Sequence, residues 1–303
     1  GKLSLEDSPK KLLPYFKMYD PDTDKNITIR DLLSHSSGLN RTDLAMITGK
    51  LSRAELIQVA AQAKPTAKLR EKFQYQNIMF TAAGEIVSQA QKKPWEKFVP
   101  ERILKPLGMT NTTMLISEMA KAKDFSFGYD YNFDTKETIN RPFRSIDQVA
   151  PAGSINSSAR DMAEWLRFVM NGGTVNGQRL VSEKNFSEWI KPQMKVSGTM
   201  DYGFGWFIQK WNGLTVVQHG GNIDGFNSMV AMIPEKKLGF VMLTNVSGSS
   251  LGNDLMPLVF SNILEGPKVQ TAGEKLSLKT MQFMAGKYRL AAANMDMEVK
   301  IVG

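Results

Sequence analysis

The chain has 303 residues, of which 42% are hydrophobic and 22% charged, and it carries a formal net charge of +8. That length fits one large domain or two moderate ones and is enough to bury a sizeable core. The absence of cysteine excludes disulfides and thiolate chemistry, and two histidines with no cysteine argue against a zinc site. The lysines are scattered (Lys10, Lys11, Lys92, Lys93, Lys236, Lys237) and no basic run alternates with aromatics. The charge therefore reads as a solvated surface, with no nucleic-acid partner. No apolar run reaches the length of a membrane span, and no signal peptide is visible at Gly1.

The first sixteen residues, Gly1 to Phe16, read as loop. Asn26 to Leu33 follows as a short helix, with Thr28 and Asp31 as a capping box and Gly38 as the stop. Ser52 with Glu55 starts a helix over Leu51–Gln62 in the same way. Met79, Ala82, Ala83, Ile86 and Val87 at helical spacing predict a helix over Ile78–Gln91. Trp95–Leu104 reads as another, ended by Pro106 and Gly108. Phe125–Val149 lacks a helical period and reads as irregular structure with short strands. Ser158 opens a helix whose Met162, Trp165, Leu166, Val169 and Met170 form one face, and Asn171-Gly172-Gly173 ends it.

The pattern then changes to strands: Phe204–Trp211, Leu214–Gln218, Phe226–Ile233 and Gly239–Val246, the last two joined by Pro234–Leu238. Short connections make these neighbours antiparallel. A helix over Asp254–Leu264 closes the run. Helices followed by an antiparallel sheet give an α+β fold. Gly266-Pro267-Lys268 reads as a boundary. Residues 1–266 form one domain, and 267–303 form a linker and the start of a second one. In that tail Leu276–Ala285 reads as helix, and Tyr288–Leu290 and Met297–Ile301 as strands.

Several short motifs carry candidate chemistry. Val216-Val217-Gln218-His219-Gly220-Gly221 places an imidazole and bare backbone at a strand end, where a ligand can approach closely. Tyr75-Gln76-Asn77 stands just before a helix; a tyrosine with a pKa near 10 needs neighbouring cations to act as a base. His35, at the end of a short helix, reads as structural, bonding the last carbonyls and complementing the dipole. Gly248-Ser249-Ser250-Leu251-Gly252 fits the G-x-S-x-G elbow between strand and helix. An α/β-hydrolase using Ser250, however, needs a histidine after the serine, and both histidines precede it. Ser8-Pro9-Lys10-Lys11 has S-x-x-K spacing, but Pro9 and the charged surroundings read as a surface loop.

Taken in order, five segments resemble the serine β-lactamase and penicillin-binding protein superfamily, in particular its class C β-lactamase, esterase and D,D-peptidase branch. They are Gly1–Asp7, Ile27–Leu39 with Leu32-Leu33-Ser34-His35-Ser36-Ser37-Gly38-Leu39, Tyr75-Gln76-Asn77, Pro151–Ser154 through Asp161, and His219-Gly220-Gly221. The resemblance implies a β-lactamase/transpeptidase-like fold and a serine that forms an acyl-enzyme. It implies that Tyr75 acts as general base and Asn77 orients the substrate and a lysine. It implies that His219 lines the site, that Gly220 and Gly221 let substrate lie against the strand, and that the N–H of Asn222 forms half of an oxyanion hole.

The family's S-x-x-K is expected before Gly1, so this chain is expected to lack its nucleophile, to be cut at both ends and to be inactive alone. His219 in place of the family's K-T-G lysine favours an esterase or peptidase over an efficient β-lactamase. The expected partner is a small ester, peptide or β-lactam, with no cofactor and no metal, in a bacterial periplasm or secreted. The competing reading is a catalytically dead penicillin-binding-like protein that binds peptides or serves as a scaffold.

Overall fold

The computed structural model describes residues 2–42, 44–47, 49–132, 134–264, 277–290 and 295–301. Two compact units divide the chain, residues 1–253 and 254–303.

Short helices open the first unit. The Asp20 side chain accepts the Thr23 N–H and starts Pro21–Asn26, a helix the sequence reading missed. Ile27 is extended, so the next helix is Ile29–Leu33 alone, with the Thr28–Asp31 capping box formed as expected. The Ser52–Glu55 box starts Arg53–Gln58, which tightens to a 3₁₀ turn over Val59–Ala61. The Asn77–Gln91 helix buries Ile78, Met79, Ala82 and Ile86 against Leu13, Phe16, Ile27, Leu32 and Ile57. Each such fully buried aliphatic or aromatic side chain contributes about 1.5–3 kcal/mol. Trp95–Val99 does not stop at Pro106. It widens to a π-helical turn over Pro100–Leu104 and continues through Lys105–Leu107 to the left-handed Gly108. Pro106 lies inside this continuous run, and the π-helical turn just ahead of it accommodates a residue that lacks an N–H.

The strands are antiparallel. β1 (Gly128–Tyr131) pairs with β2 (Thr138–Arg141), and β3 (Thr174–Val175) with β4 (Gln178–Arg179). The main sheet has the order β10-β9-β8-β7-β6-β5. It comprises β5 (Met194–Lys195), β6 (Met200–Tyr202), β7 (Phe207–Trp211), β8 (Leu214–Ile223), β9 (Phe226–Ile233) and β10 (Leu238–Thr244). The Ser158-capped helix Ala159–Met170 lays Leu166, Phe168 and Val169 on Trp206, Ile208, Val217, Val230 and Met232, the second core. This is the expected α+β fold. A sheet built of antiparallel neighbours lacks the parallel βαβ units of an α/β-hydrolase, so the Ser250 elbow reading is wrong.

β8 runs five residues further than Gln218, through both glycines to Ile223, because pairing with β9 overrides glycine's weak strand preference. The hairpin tip, Asp224-Gly225, has both residues at positive φ. A Cβ on Gly225 would lie 2.4 Å from the Gly128 carbonyl carbon, so only glycine lets the tip seat on β1.

The closing helix is Leu251–Ile263, beginning earlier than Asp254. In the second unit, Ser277 caps Leu278–Met284, and β11 (Gly286–Leu290) pairs with β12 (Met295–Val299). Gly266-Pro267-Lys268 and Leu276 lie outside the described residues.

Candidate active site

An open cleft of about 1860 Å³ runs through the first unit, and its walls include Tyr75, Asn77, Ser154, Tyr202, His219 and Gly221. The sequence-derived residues Tyr75, Asn77, His219, Gly220, Gly221 and Asn222 all line it. Long-range packing brings them together, starting from His35.

His35 is fully buried at φ 57, just past the Ile29–Leu33 helix. Its Nδ1 accepts the backbone N–H of Gln76 at 3.0 Å, and its own carbonyl accepts Gln74 N–H at 2.8 Å. The ring packs 4.2 Å from Tyr75, 4.8 Å from Phe80 and 4.9 Å from Tyr202, centroid to centroid. Burial, then the nearby His219 and Arg41, push its pKa down to about 3. His35 is therefore neutral, with its proton on Nε2. The expectation that it complements a helix dipole is corrected: the ring braces the segment that carries Tyr75.

Gln76, the middle residue of the motif, is also fully buried. Its Nε2 donates to the Asn40 carbonyl at 2.6 Å, and its Oε1 accepts Thr42 Oγ1 and the Ile78 N–H, both at 3.2 Å. It caps the Asn77–Gln91 helix and fixes Asn77 as that helix's first residue. Arg41, from the same loop, sets its guanidinium carbon 5.4 Å from the Tyr75 ring centroid. Below this, Asp31 is 2% exposed and takes a two-pronged contact from Arg70 at 2.8 Å and 2.8 Å, besides Thr28 N–H at 2.9 Å. Burial alone would raise its carboxyl, but the Arg70 and Thr28 hydrogen bonds outweigh it and hold the pKa below the usual range.

From the sheet side, His219 comes within 6.1 Å of the Tyr75 ring, centroid to centroid. Its Nδ1–H donates to the Gly220 carbonyl at 2.6 Å, leaving Nε2 to accept the Tyr202 hydroxyl at 3.4 Å. Burial and the neighbouring Tyr75 push the Tyr202 phenol far up, so it stays protonated and donates. Burial lowers the His219 pKa against the Gly220 bond, which favours the cation, so the ring is neutral at neutral pH.

The β7–β8 ladder ends at Phe207↔Gln218, while β8–β9 continues to Ile223↔Phe226. From His219 onward β8 is thus a local sheet edge along the cleft, able to pair with an extended ligand. Gly220, Gly221 and Asn222 are exposed there. A Cβ on Gly221 would stand 2.7 Å from Ser228 Oγ, and the Asn222 side-chain oxygen accepts Gly248 N–H at 2.9 Å.

The Pro151–Ser154 wall is fixed by two contacts. Ser154 Oγ donates to the Met114 carbonyl at 2.6 Å. Pro151 lies against Gly84, where a Cβ would meet its Cγ at 2.2 Å. Asp161, 2% exposed, accepts Asn111 N–H at 2.8 Å and Thr112 Oγ1 at 2.7 Å, tying the following helix to the same wall.

Ser8 precedes a 3₁₀ turn, and Lys11 pairs with Asp7 at 3.0 Å; neither lines the cleft. Ser250 is exposed and outside the lining as well. Sequence reasoning missed Tyr202, Phe207, Gln76 and Arg41. Only Gln76, inside the Tyr-x-Asn motif, had a local signal. Among the described residues no group of three or more His, Asp or Glu is set to hold a metal ion, and no helix is long and apolar enough to cross a membrane.

The comparisons agree with this architecture. Protein flp of Staphylococcus aureus is 29% identical over 253 residues, covering 82% of this chain and 49% of that protein. The unguisins hydrolase ungD′ of Aspergillus campestris is 28% identical over 240 residues, covering 75% of this chain and 44% of its own length. The chain thus spans about half the length of the curated relatives it matches. Among solved structures, the octameric penicillin-binding protein homologue from Pyrococcus abyssi superposes with a TM-score of 0.80 at 24% identity, over 100% of this chain and 70% of that one. The D-amino acid amidase from Ochrobactrum anthropi gives 0.69 at 21%, over 88% and 78%. The family model described as Beta-lactamase matches residues 1–259, and the chain belongs to that family.

Proposed function

We propose that the cleft is the acyl-transfer centre of a serine hydrolase acting on small esters, amides or peptides, with β-lactams as poor substrates. One observation carries this reading: Tyr75 and Asn77, from a helix start, and His219, from a sheet edge, converge on one cleft. The nucleophile in this reading is a serine of a Ser-x-x-Lys segment outside residues 1–303.

The roles are those that the resemblance to the β-lactamase family implies for these positions. The serine oxygen attacks the substrate carbonyl and its proton passes to Tyr75, which later gives it to the leaving group. The Asn77 amide orients the substrate from the helix start. The oxyanion of the tetrahedral intermediate takes a hydrogen bond from the Asn222 N–H. His219, neutral and fixed by Gly220 and Tyr202, lines the site without presenting a fixed cation to a carboxylate. That favours esters and peptides over β-lactams, whose carboxylate such a cation would bind. Water then hydrolyses the acyl-enzyme.

The test is a panel of p-nitrophenyl esters, nitrocefin and D-amino-acid peptides on the full-length protein. Turnover of an ester or peptide, slower turnover of nitrocefin and indifference to Ser250→Ala are expected. No turnover of any of them supports a peptide-binding scaffold instead.

A further inference from the structure

Four phenylalanines from three segments meet at the far end of the cleft, and neither the acyl-transfer chemistry nor the sequence motifs use them. Phe127 and Phe143 stack at 5.7 Å with planes 6° apart, Phe125 lies 5.3 Å from Phe127, and Phe143 stacks on Phe226 at 6.4 Å. Phe125, Phe143 and Phe226 line the cleft, and Phe127 is 50% exposed. Rings stacked together at a cleft wall, one of them half-exposed, make a contiguous apolar patch of the kind that marks a binding site.

The cluster is pinned from both sides. Arg144, next to Phe143, makes a two-pronged ion pair with Asp224 at 2.7 and 3.0 Å, next to the hairpin that carries Phe226. The close approach of Gly225 to Gly128 fixes the same hairpin to the strand after Phe127. The stack is therefore preformed, which lowers the ordering cost of binding.

Its position relative to His219 is set by the strand. His219, Gly221 and Ile223 alternate onto one face of β8, opposite Val230, Ser228 and Phe226. Four strand steps separate His219 from the Ile223–Phe226 pair, roughly 13 Å. Between them stands Gly221, which presents no side chain, so an extended ligand can pass from the imidazole to the aromatic rings.

We propose that the Phe125–Phe127–Phe143–Phe226 cluster is a substrate subsite for an aromatic group joined by an extended chain to the scissile carbonyl. This rests on the acyl-transfer reading of the cleft for what happens at the other end of the ligand.

Binding is measured apart from turnover. The full-length protein is titrated calorimetrically with an ω-phenylalkanoate long enough to span the gap and with the alkanoate of the same chain length. The phenyl compound binds about tenfold tighter, and the difference disappears in Phe143→Ala and Phe226→Ala. Equal affinities in the wild type, or a preference that survives both substitutions, overturn the subsite. Thermal unfolding reports that both variants are folded, and the wild type alone is assayed with p-nitrophenyl acetate, which is too short to reach the rings. Failure of the wild type to hydrolyse it would count against the acyl-transfer reading, while the titration still decides the subsite.

Discussion

The ring of His35 lies 4.2 Å from that of Tyr75, and the hydrogen bond joining their segments runs from Gln76 N–H to His35 Nδ1. Tyr75 is thus positioned by a buried neutral histidine, which makes its placement sensitive to acid. The unfolded chain binds a proton at His35 near 6.5, the folded chain only near 3. Stability from this group is complete above pH 6.5 and is lost progressively as the pH falls toward 3, by several kcal/mol on the order given by the linkage. His35→Gln keeps an acceptor for Gln76 but cannot titrate. Urea unfolding across this range should show a flatter pH dependence in that variant than in the wild type.

His219 should set the acid limb of activity. Its pKa is lowered, so the neutral form that accepts from Tyr202 persists below the ordinary value of 6.5 and is lost only at lower pH. The acid limb of kcat/KM is expected below 6.5 in the wild type and absent in His219→Gln. A limb that survives the substitution would assign it to another group.

Gly84→Ala should destabilise the protein without touching the cleft chemistry directly. Its Cβ would lie 2.2 Å from Pro151 Cγ, so the helix or the Pro151–Ser154 wall must move. Overpacking of this kind costs about 1–3 kcal/mol, against a gain of about 1 kcal/mol in helix propensity. Thermal unfolding should show a net loss.

Asp31→Ala should cost about 1–3 kcal/mol, because Thr28 N–H loses its capping acceptor while the half-exposed Arg70 falls back on water and leaves no buried charge. Because the Asp31 pKa is lowered, its contribution is present above the usual carboxylate value of 3.8 and fades as the pH falls below it. Chemical denaturation of Asp31→Ala and Asp31→Asn near neutral pH checks the loss.

Much of this was legible in the residues. Thr28 with Asp31 and Ser52 with Glu55 announced helix starts, and the apolar run Met229–Ile233, closed by Pro234, marked β9. The strands around Met194 and Met200 were too short to show a period. The role of His35 was not legible, because its partner Gln76 lies in a distant segment. Tyr202 is recognisable only once β6 sits beside β7 and brings its hydroxyl to His219. Tyr75, Asn77 and His219, which line the cleft, sit in short motifs whose order along the chain resembles the family's pattern.

The most direct measurement is intact-mass labelling with a fluorophosphonate, comparing the full-length protein, its Tyr75→Phe variant and residues 1–303. The account predicts one adduct on the full-length protein, on the serine of a Ser-x-x-Lys segment. It predicts labelling slower by about 10²–10⁴ in Tyr75→Phe, and none on residues 1–303. A stoichiometric adduct on any serine within residues 1–303, or labelling indifferent to Tyr75→Phe, would contradict it.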